Sequence, residues 1–366
     1  MPDKKYTSIH YHDYLRLDDV LDAQSLRSVE VGKPAHDEML FIIVHQVYEL
    51  WFKEIIHDMK AVVKMFEDNV LDEREVGKAV HLLNRVIKIQ RLLIEQIGVM
   101  ETMTSLDFLD FRNYLFPASG FQSFQFRVIE TMLGLESEKR LTYNGKPYDI
   151  VFDEQQREVL HTLEEGKSML EHVEAWLERT PFLETGSFNF LELYKGAVDE
   201  MLEREKSNIT NSAFLTDETK AMRLRMLGDT DSYFASVFDE EKHKARVARG
   251  ELRMSYKATL AALLINLYRD EPILRMPYEL LSRLVEIDER MTTWRYRHAQ
   301  MVLRMLGKKV GTGGSSGHSY LAKTAELHGI FTDLHNISTL LIPRSDLPAL
   351  PAELKRQLGF YFTSTR

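Results

Sequence analysis

Residues His36–Phe66 read HDEMLFIIVHQVYELWFKEIIHDMKAVVKMF. From Met39 onward the apolar side chains include Phe41, Val44, Tyr48, Trp51, Phe52, Ile55, Met59, Val62 and Phe66. Steps of three and four put them on one stripe of a long helix, because an α-helix turns once in about 3.6 residues. Neither Gly nor Pro interrupts the stretch, as a helix interior requires. The pattern returns at Val76, Val80, Leu83, Ile87 and Ile94, and again over 158–177, 258–268 and 278–306. Strand-like alternation is almost absent; 141–146, around Asn144-Gly145, reads either as a small hairpin or as a loop. The expected fold class is all-α, a large helical bundle.

The rest of the chain fits that frame. Its 366 residues suggest about two domains or one large one, and a chain of this length buries enough surface to fold without a staple. The stretch 135–255 is more polar and more broken, with Thr180-Pro181, Gly186 and charged runs at 200–206 and 240–249. It reads as a smaller helical insertion into a core made of 1–134 and 256–366. With no Cys, the chain has no disulfide framework, no thiolate-ligated zinc or haem, no iron–sulfur cluster and no Cys nucleophile. A formal charge of −9 without a basic block argues against nucleic acid as a partner. Met39–Val44, as long as any purely apolar run in the chain, is far short of the roughly 20 residues that span a bilayer. No apolar segment follows the first six residues, so no secretory leader is read and a cytoplasmic location is expected.

Three features could carry chemistry. His45 and His298 each sit on an apolar stripe, His298 among Leu284, Ile287, Met291, Trp294, Met301 and Met305. Each reads either as a core histidine bonded to a backbone carbonyl or as a ligand or polar group facing a buried cofactor. Arg112 shares a helical face with Phe108 and Leu115; it is either a structural cation or a two-pronged clamp for a carboxylate. Pro117 breaks the chain there, and Ser119 with Gln122 reads as a capping box for the next helix. Gly307–Gly317, GKKVGTGGSSG, follows the last long helix without a preceding strand or a Gly-Lys-Ser/Thr triplet. It is therefore no phosphate loop, but either a linker or a lid in which Thr312 offers a hydroxyl. Glu-x-x-His occurs at 54–57, 158–161 and 240–243. A di-iron carboxylate site is not expected, because His57 and His161 fall off their stripes and His243 lies in a charged run.

Taken together, these segments resemble a known family. His36–Lys53, Asp107–Arg127 and Trp294-Arg-Tyr-Arg-His298 with Gly311–Gly317 are similar, in order and spacing, to three signatures of the haem-dependent tryptophan 2,3-dioxygenases. The likeness runs from about Tyr11 to Pro343 and includes Trp176–Pro181 and Phe188–Phe190, which mark the longer members. The resemblance implies a homotetramer, built as a dimer of dimers, with one haem b per subunit. It implies opening of the indole ring of L-tryptophan by O2 to give N-formylkynurenine, the first step of the kynurenine pathway. His298 matches the proximal iron ligand, with Trp294 beside it on the cofactor side. His45 matches the distal histidine that faces the indole nitrogen, and Phe41 an aromatic of the indole pocket. Arg112 matches the carboxylate-binding arginine, Thr312 a contact to the amino-acid end, and Ser119 a serine near the haem edge. Tyr11 and Tyr14 match tyrosines that complete a neighbouring subunit's pocket.

Three positions depart from the family pattern: Phe116, where a small residue is common, and His318 and Ala322, where Tyr and Arg are usual. None is a ligand or clamp position, so they bear on loop closure and affinity. Two other activities use much the same residues: a haem oxygenase for another indole or aromatic amino acid, and a haem-binding sensor. Within the first, the Arg112 and Thr312 pair argues for an amino acid carrying a free carboxylate and against an indole without one. The lack of an output domain argues against the second.

Overall fold

The computed structural model describes residues 7–68, 71–141, 147–186, 188–235, 237–307, 309 and 317–359. Thr312 and the Asn144-Gly145 hairpin or loop lie outside the described residues. Twelve helices of eight or more residues make up the described fold. They are α1 Glu38–Glu67, α2 Glu73–Met100, α3 Ser105–Arg112, α4 Phe124–Leu133, α5 Glu154–Glu165 and α6 Met169–Leu177. There follow α7 Phe190–Thr210, α8 Asp217–Ala235, α9 Glu240–Ala248, α10 Tyr256–Leu267, α11 Pro272–Leu306 and α12 Gly317–Leu327. The strand pair among the described residues is Glu184–Thr185 against Phe188–Asn189, antiparallel and two residues long. Among the described residues no helix is long and apolar enough to cross a membrane.

Local chemistry sets the helix ends. The stretch expected as one helix over 158–177 is two, α5 and α6, divided at Gly166–Ser168. Ser168 caps α6, its hydroxyl accepting from the Glu171 amide while Glu171 accepts from the Ser168 amide, and such a reciprocal cap restarts a helix. The Ser119–Gln122 box also forms, but it caps a single 3-10 turn, Gly120–Gln122. The cap of α4 is Ser123, whose hydroxyl accepts from the Phe126 amide at 3.3 Å. Likewise α3 ends at Arg112, so Leu115 lies in the turn beyond rather than on the same helix face.

The long helices α1, α2 and α11 pack side by side, with α4 against α1 and α12 against α11. Their apolar stripes meet in one large core that includes Phe52, Met59 and Val62 of α1, Leu83 and Ile87 of α2, and Leu284 and Ile287 of α11. Side chains from 135–255, such as Leu170, Tyr194 and Val198, join the same core. A second, smaller cluster holds Val44, Met100, Met103, Phe111 and Met305, with Phe41, Phe108, Leu115 and Met301 packed on it. Helices α1 and α11 run through both clusters. His45 falls between Val44 and Phe52, and His298 between Met291 and Met305, so both histidines sit at the seam.

Candidate functional site

The seam is walled by rings. On the α1 side Phe41 meets His45 at 4.2 Å between centroids, Phe108 at 5.7 Å and Phe111 at 5.5 Å. On the α11 side Trp294 stacks on His298 at 5.1 Å and 18°, and Phe126 and Tyr48 lie against Trp294 at 5.0 and 6.0 Å. Tyr48 is fixed in turn by its hydroxyl, which donates to the Leu93 carbonyl at 2.6 Å.

The histidines are in a defined state. His45 Nδ1 lies 2.7 Å from the Phe41 carbonyl. A carbonyl only accepts, so Nδ1 carries the proton, and Nε2 is left as an acceptor. Burial holds the His45 pKa below its usual value, against the opposing pull of the Phe41 carbonyl and the Glu49 carboxylate. His45 nonetheless keeps accessible surface. His298 is lowered further, to about 4, by burial and then by the nearby His45. A proton on one ring disfavours a proton on the other, so the two rings lie close enough to feel each other's charge. His298 Nδ1 is buried without a hydrogen bond among the described residues.

The other candidate residues surround this seam to different degrees. Arg112 follows the fully buried Phe111, whose ring packs on Phe41, and α3 is tied to α11 by Ser105 Oγ donating to the Arg304 carbonyl at 2.9 Å. Ser119 sits in a turn fastened to α1 one helical turn past His45. There Ser123 Oγ donates to Glu49 Oε1 at 2.6 Å and Gln125 Nε2 to Glu49 Oε2 at 2.9 Å. Tyr11 and Tyr14 are 69% and 71% exposed on a short helix, Tyr11–Leu15. Of the departures, Phe116 is exposed, while His318 and Ala322 are half-buried on α12. A separate open recess of about 670 Å³, lined by Leu26, Pro34, Met39, Leu40 and Ile43, lies at the start of α1 and is not where the histidines meet.

Among the described residues no three His, Asp or Glu side chains converge as a metal cluster. His161 contacts Asp149 at 3.2 Å on the surface. The charged run around His243 suggests a surface position, yet its ring is buried and Nε2 meets the Met254 carbonyl at 3.0 Å. Two charged residues near the seam escape a reading by stripe. Glu49 braces the Ser119 turn, and Glu130 lies buried within the apolar run 128–133. The signal for Glu130 is a lone acid on a core-facing helix with Arg127 and Arg140 nearby in sequence.

Comparison with known proteins bears on these residues as a set. The family profile described as tryptophan 2,3-dioxygenase matches residues 3–341. Tryptophan 2,3-dioxygenase of Bdellovibrio bacteriovorus is 50% identical over 98% of this chain and all of its own length. That of Dictyostelium discoideum is 46% identical over 96% of this chain and 88% of its own. Tryptophan 2,3-dioxygenase B of Danio rerio is 46% identical over 93% and 84%. The chain belongs to the tryptophan 2,3-dioxygenase family.

Proposed function

We propose that the recess between His45 and His298 is where this dioxygenase holds haem b and opens the indole ring of L-tryptophan to N-formyl-L-kynurenine. The carrying observation is that two histidines with lowered pKa values, on different helices, lie close together among aromatic rings where two apolar clusters adjoin. The donor chemistry fits haem: the chain has no Cys, the His298 pKa is lowered so that the ring favours its neutral form, and its Nδ1 is buried without a partner among the described residues. His298 would hold the iron, with Trp294 stacked beside it and Ser119 near the macrocycle edge. When bound, the haem iron supplies the activation of O2.

The protein's own part is binding, orientation and exclusion of water. Phe41 and its neighbours Phe108 and Phe111 offer an apolar slot for the indole. Arg112 would pair its planar fork with the substrate carboxylate, and Thr312 would meet the amino-acid end. His45, with Nδ1 committed to the Phe41 carbonyl, presents Nε2 to accept a hydrogen bond from the indole N–H. We place this activity in the cytoplasm, in keeping with a cysteine-free chain. We also keep 135–255 as an insertion on the haem-binding core. The direct test is a steady-state assay of the reduced, haem-loaded enzyme with L-tryptophan. Absorbance growth from formylkynurenine is expected, and none would sink the reading.

Protonation of His45 removes that acceptor. Its pKa is depressed in the folded protein, so the neutral form persists above the usual histidine value and is lost as pH falls through the lowered one. The kcat/KM profile for L-tryptophan should therefore show an acid limb with an apparent pKa below about 6.5. In H45Q that limb should be absent; an unchanged limb would assign it to another group.

A homotetramer, as a dimer of dimers, completes the proposal. The exposed Tyr11 and Tyr14 are free to enter a neighbour's site. Helices α2 and α11, packed together, expose Leu92 and Val99 and Tyr296 and Leu303, each pair seven residues apart, as a helix face meeting another helix requires. The double variant V99E/L303E should halve the mass seen by light scattering. An unchanged mass would move the interface elsewhere.

A further inference from the structure

Glu130 of α4 is 1% exposed and gathers three guanidinium groups. Arg295 Nη2 donates to Oε1 at 2.7 Å, and Arg127 Nη1 and Arg140 Nη1 donate to Oε2 at 2.6 and 2.8 Å. A buried carboxylate needs a charged partner, but one arginine is enough to neutralise it. The distinguishing feature of the cluster is which elements it joins. Arg127 belongs to α4 itself and Arg140 to the segment that follows. Arg295 belongs to α11, next to Trp294 and three residues before His298.

Arg295 also reaches a third element. Its Nη1 donates to the His328 carbonyl at 3.2 Å. Two helical turns earlier on α11, the buried Asp288 accepts from the amides of Ile330 and Phe331 at 2.9 and 3.0 Å. The segment 328–331 is thus fastened to α11 at two points. On the α4 side, Phe126 lies one turn before Glu130 and packs on Trp294, the ring that stacks on His298. Two contacts between α4 and α11, Phe126 with Trp294 and Glu130 with Arg295, therefore fix the turn of α11 that presents His298.

We propose that Glu130 and Arg295 are positioning residues for the dioxygenase reaction: their buried ion pair sets the rotation of α11 and hence the orientation of the His298 ring toward the haem. The inference rests on the reading of His298 as the iron ligand. Arg127 supplies the internal control, because it bonds the same carboxylate from the same helix and joins no second element to it.

The test compares R295K and R127Q as haem-loaded enzymes. The readouts are the iron–histidine stretching band in resonance Raman of the reduced, substrate-free protein, kcat and KM for L-tryptophan, and the thermal midpoint. R295K keeps the charge but loses the fork. It should shift the band and lower kcat roughly 10- to 100-fold with KM little changed, the usual cost of a partner behind a metal ligand. R127Q should keep both band and kcat even where its thermal midpoint falls. Folded R295K with a wild-type band and kcat overturns the proposal, and so does R127Q matching R295K in both. Should R295K not accumulate, E130D, which shortens the carboxylate arm and keeps its charge, must show the same shift; a wild-type band in E130D overturns the proposal equally. H298A run alongside separates the two readings. Stoichiometric haem in H298A sinks the ligand assignment, whereas a normal band in R295K sinks only the positioning role.

Discussion

Replacing His298 with Ala is expected to yield a folded protein that no longer retains haem. The fold should survive because the ring does little for its own helix. Its Nδ1 takes no hydrogen bond among the described residues, and its packing partner, Trp294, keeps its contacts with Phe126 and Tyr48. Removing a ring that already borders a recess costs less than the about 3–5 kcal/mol of a fully buried aromatic truncation. Haem is a different matter. On the proposed assignment of His298, its loss leaves the iron without a protein ligand, and activity should fall by at least about 10³-fold, as when one member of a site that acts as a unit is removed. The measurement is the ratio of haem to protein after reconstitution and gel filtration, followed by the visible spectrum. Added imidazole should enter the vacated space and restore part of the spectrum. A variant that carries haem at full stoichiometry would show that another residue holds the iron.

What the sequence makes legible here is set by periodicity. The stripes through Phe41–Phe66 and Leu284–Met305 are read directly as buried helix faces, and α1 and α11 follow them. His45 and His298 are found on those stripes, but a stripe does not distinguish a satisfied core histidine from one facing a gap. Packing adds that the two histidines lie where the two apolar clusters adjoin, with His45 Nδ1 on the Phe41 carbonyl and His298 Nδ1 without a partner among the described residues. Side-chain capping is harder to place than to detect. The Ser119–Gln122 box is present, yet it closes a 3-10 turn, since Ser123 offers a second cap one residue before α4. The break at Gly166–Ser168 is similar: apolar spacing continues across it, and the local Ser168–Glu171 cap overrides the continuity. Glu130 is invisible to periodicity because a stripe carries no sign of charge pairing. Its partners Arg140 and Arg295 are 10 and 165 residues away in sequence. Tyr11 and Tyr14 are legible only through resemblance, for nothing in a single subunit gives an exposed tyrosine a role.

The second large effect is expected at Arg112. R112L should raise KM for L-tryptophan roughly 10²-fold, since truncating one partner of a desolvated charge pair costs about 2–5 kcal/mol. Binding of indole, which has no carboxylate, should change by no more than about threefold, because the slot formed by Phe41, Phe108 and Phe111 is untouched. Arg112 is the last residue of α3, where a cation meets the negative helix end for about 0.3–1 kcal/mol. The capping box of Thr104 and Asp107 and the Ser105 bond to the Arg304 carbonyl continue to hold that helix. R112K separates charge from geometry: an ammonium keeps the attraction but cannot match two oxygens at once, so its KM should fall between wild type and R112L. Equilibrium titrations of both ligands against the three proteins decide the matter. Equal losses for tryptophan and indole would mean that Arg112 shapes the pocket as a whole, and the clamp would then have to be sought on another residue facing the same recess.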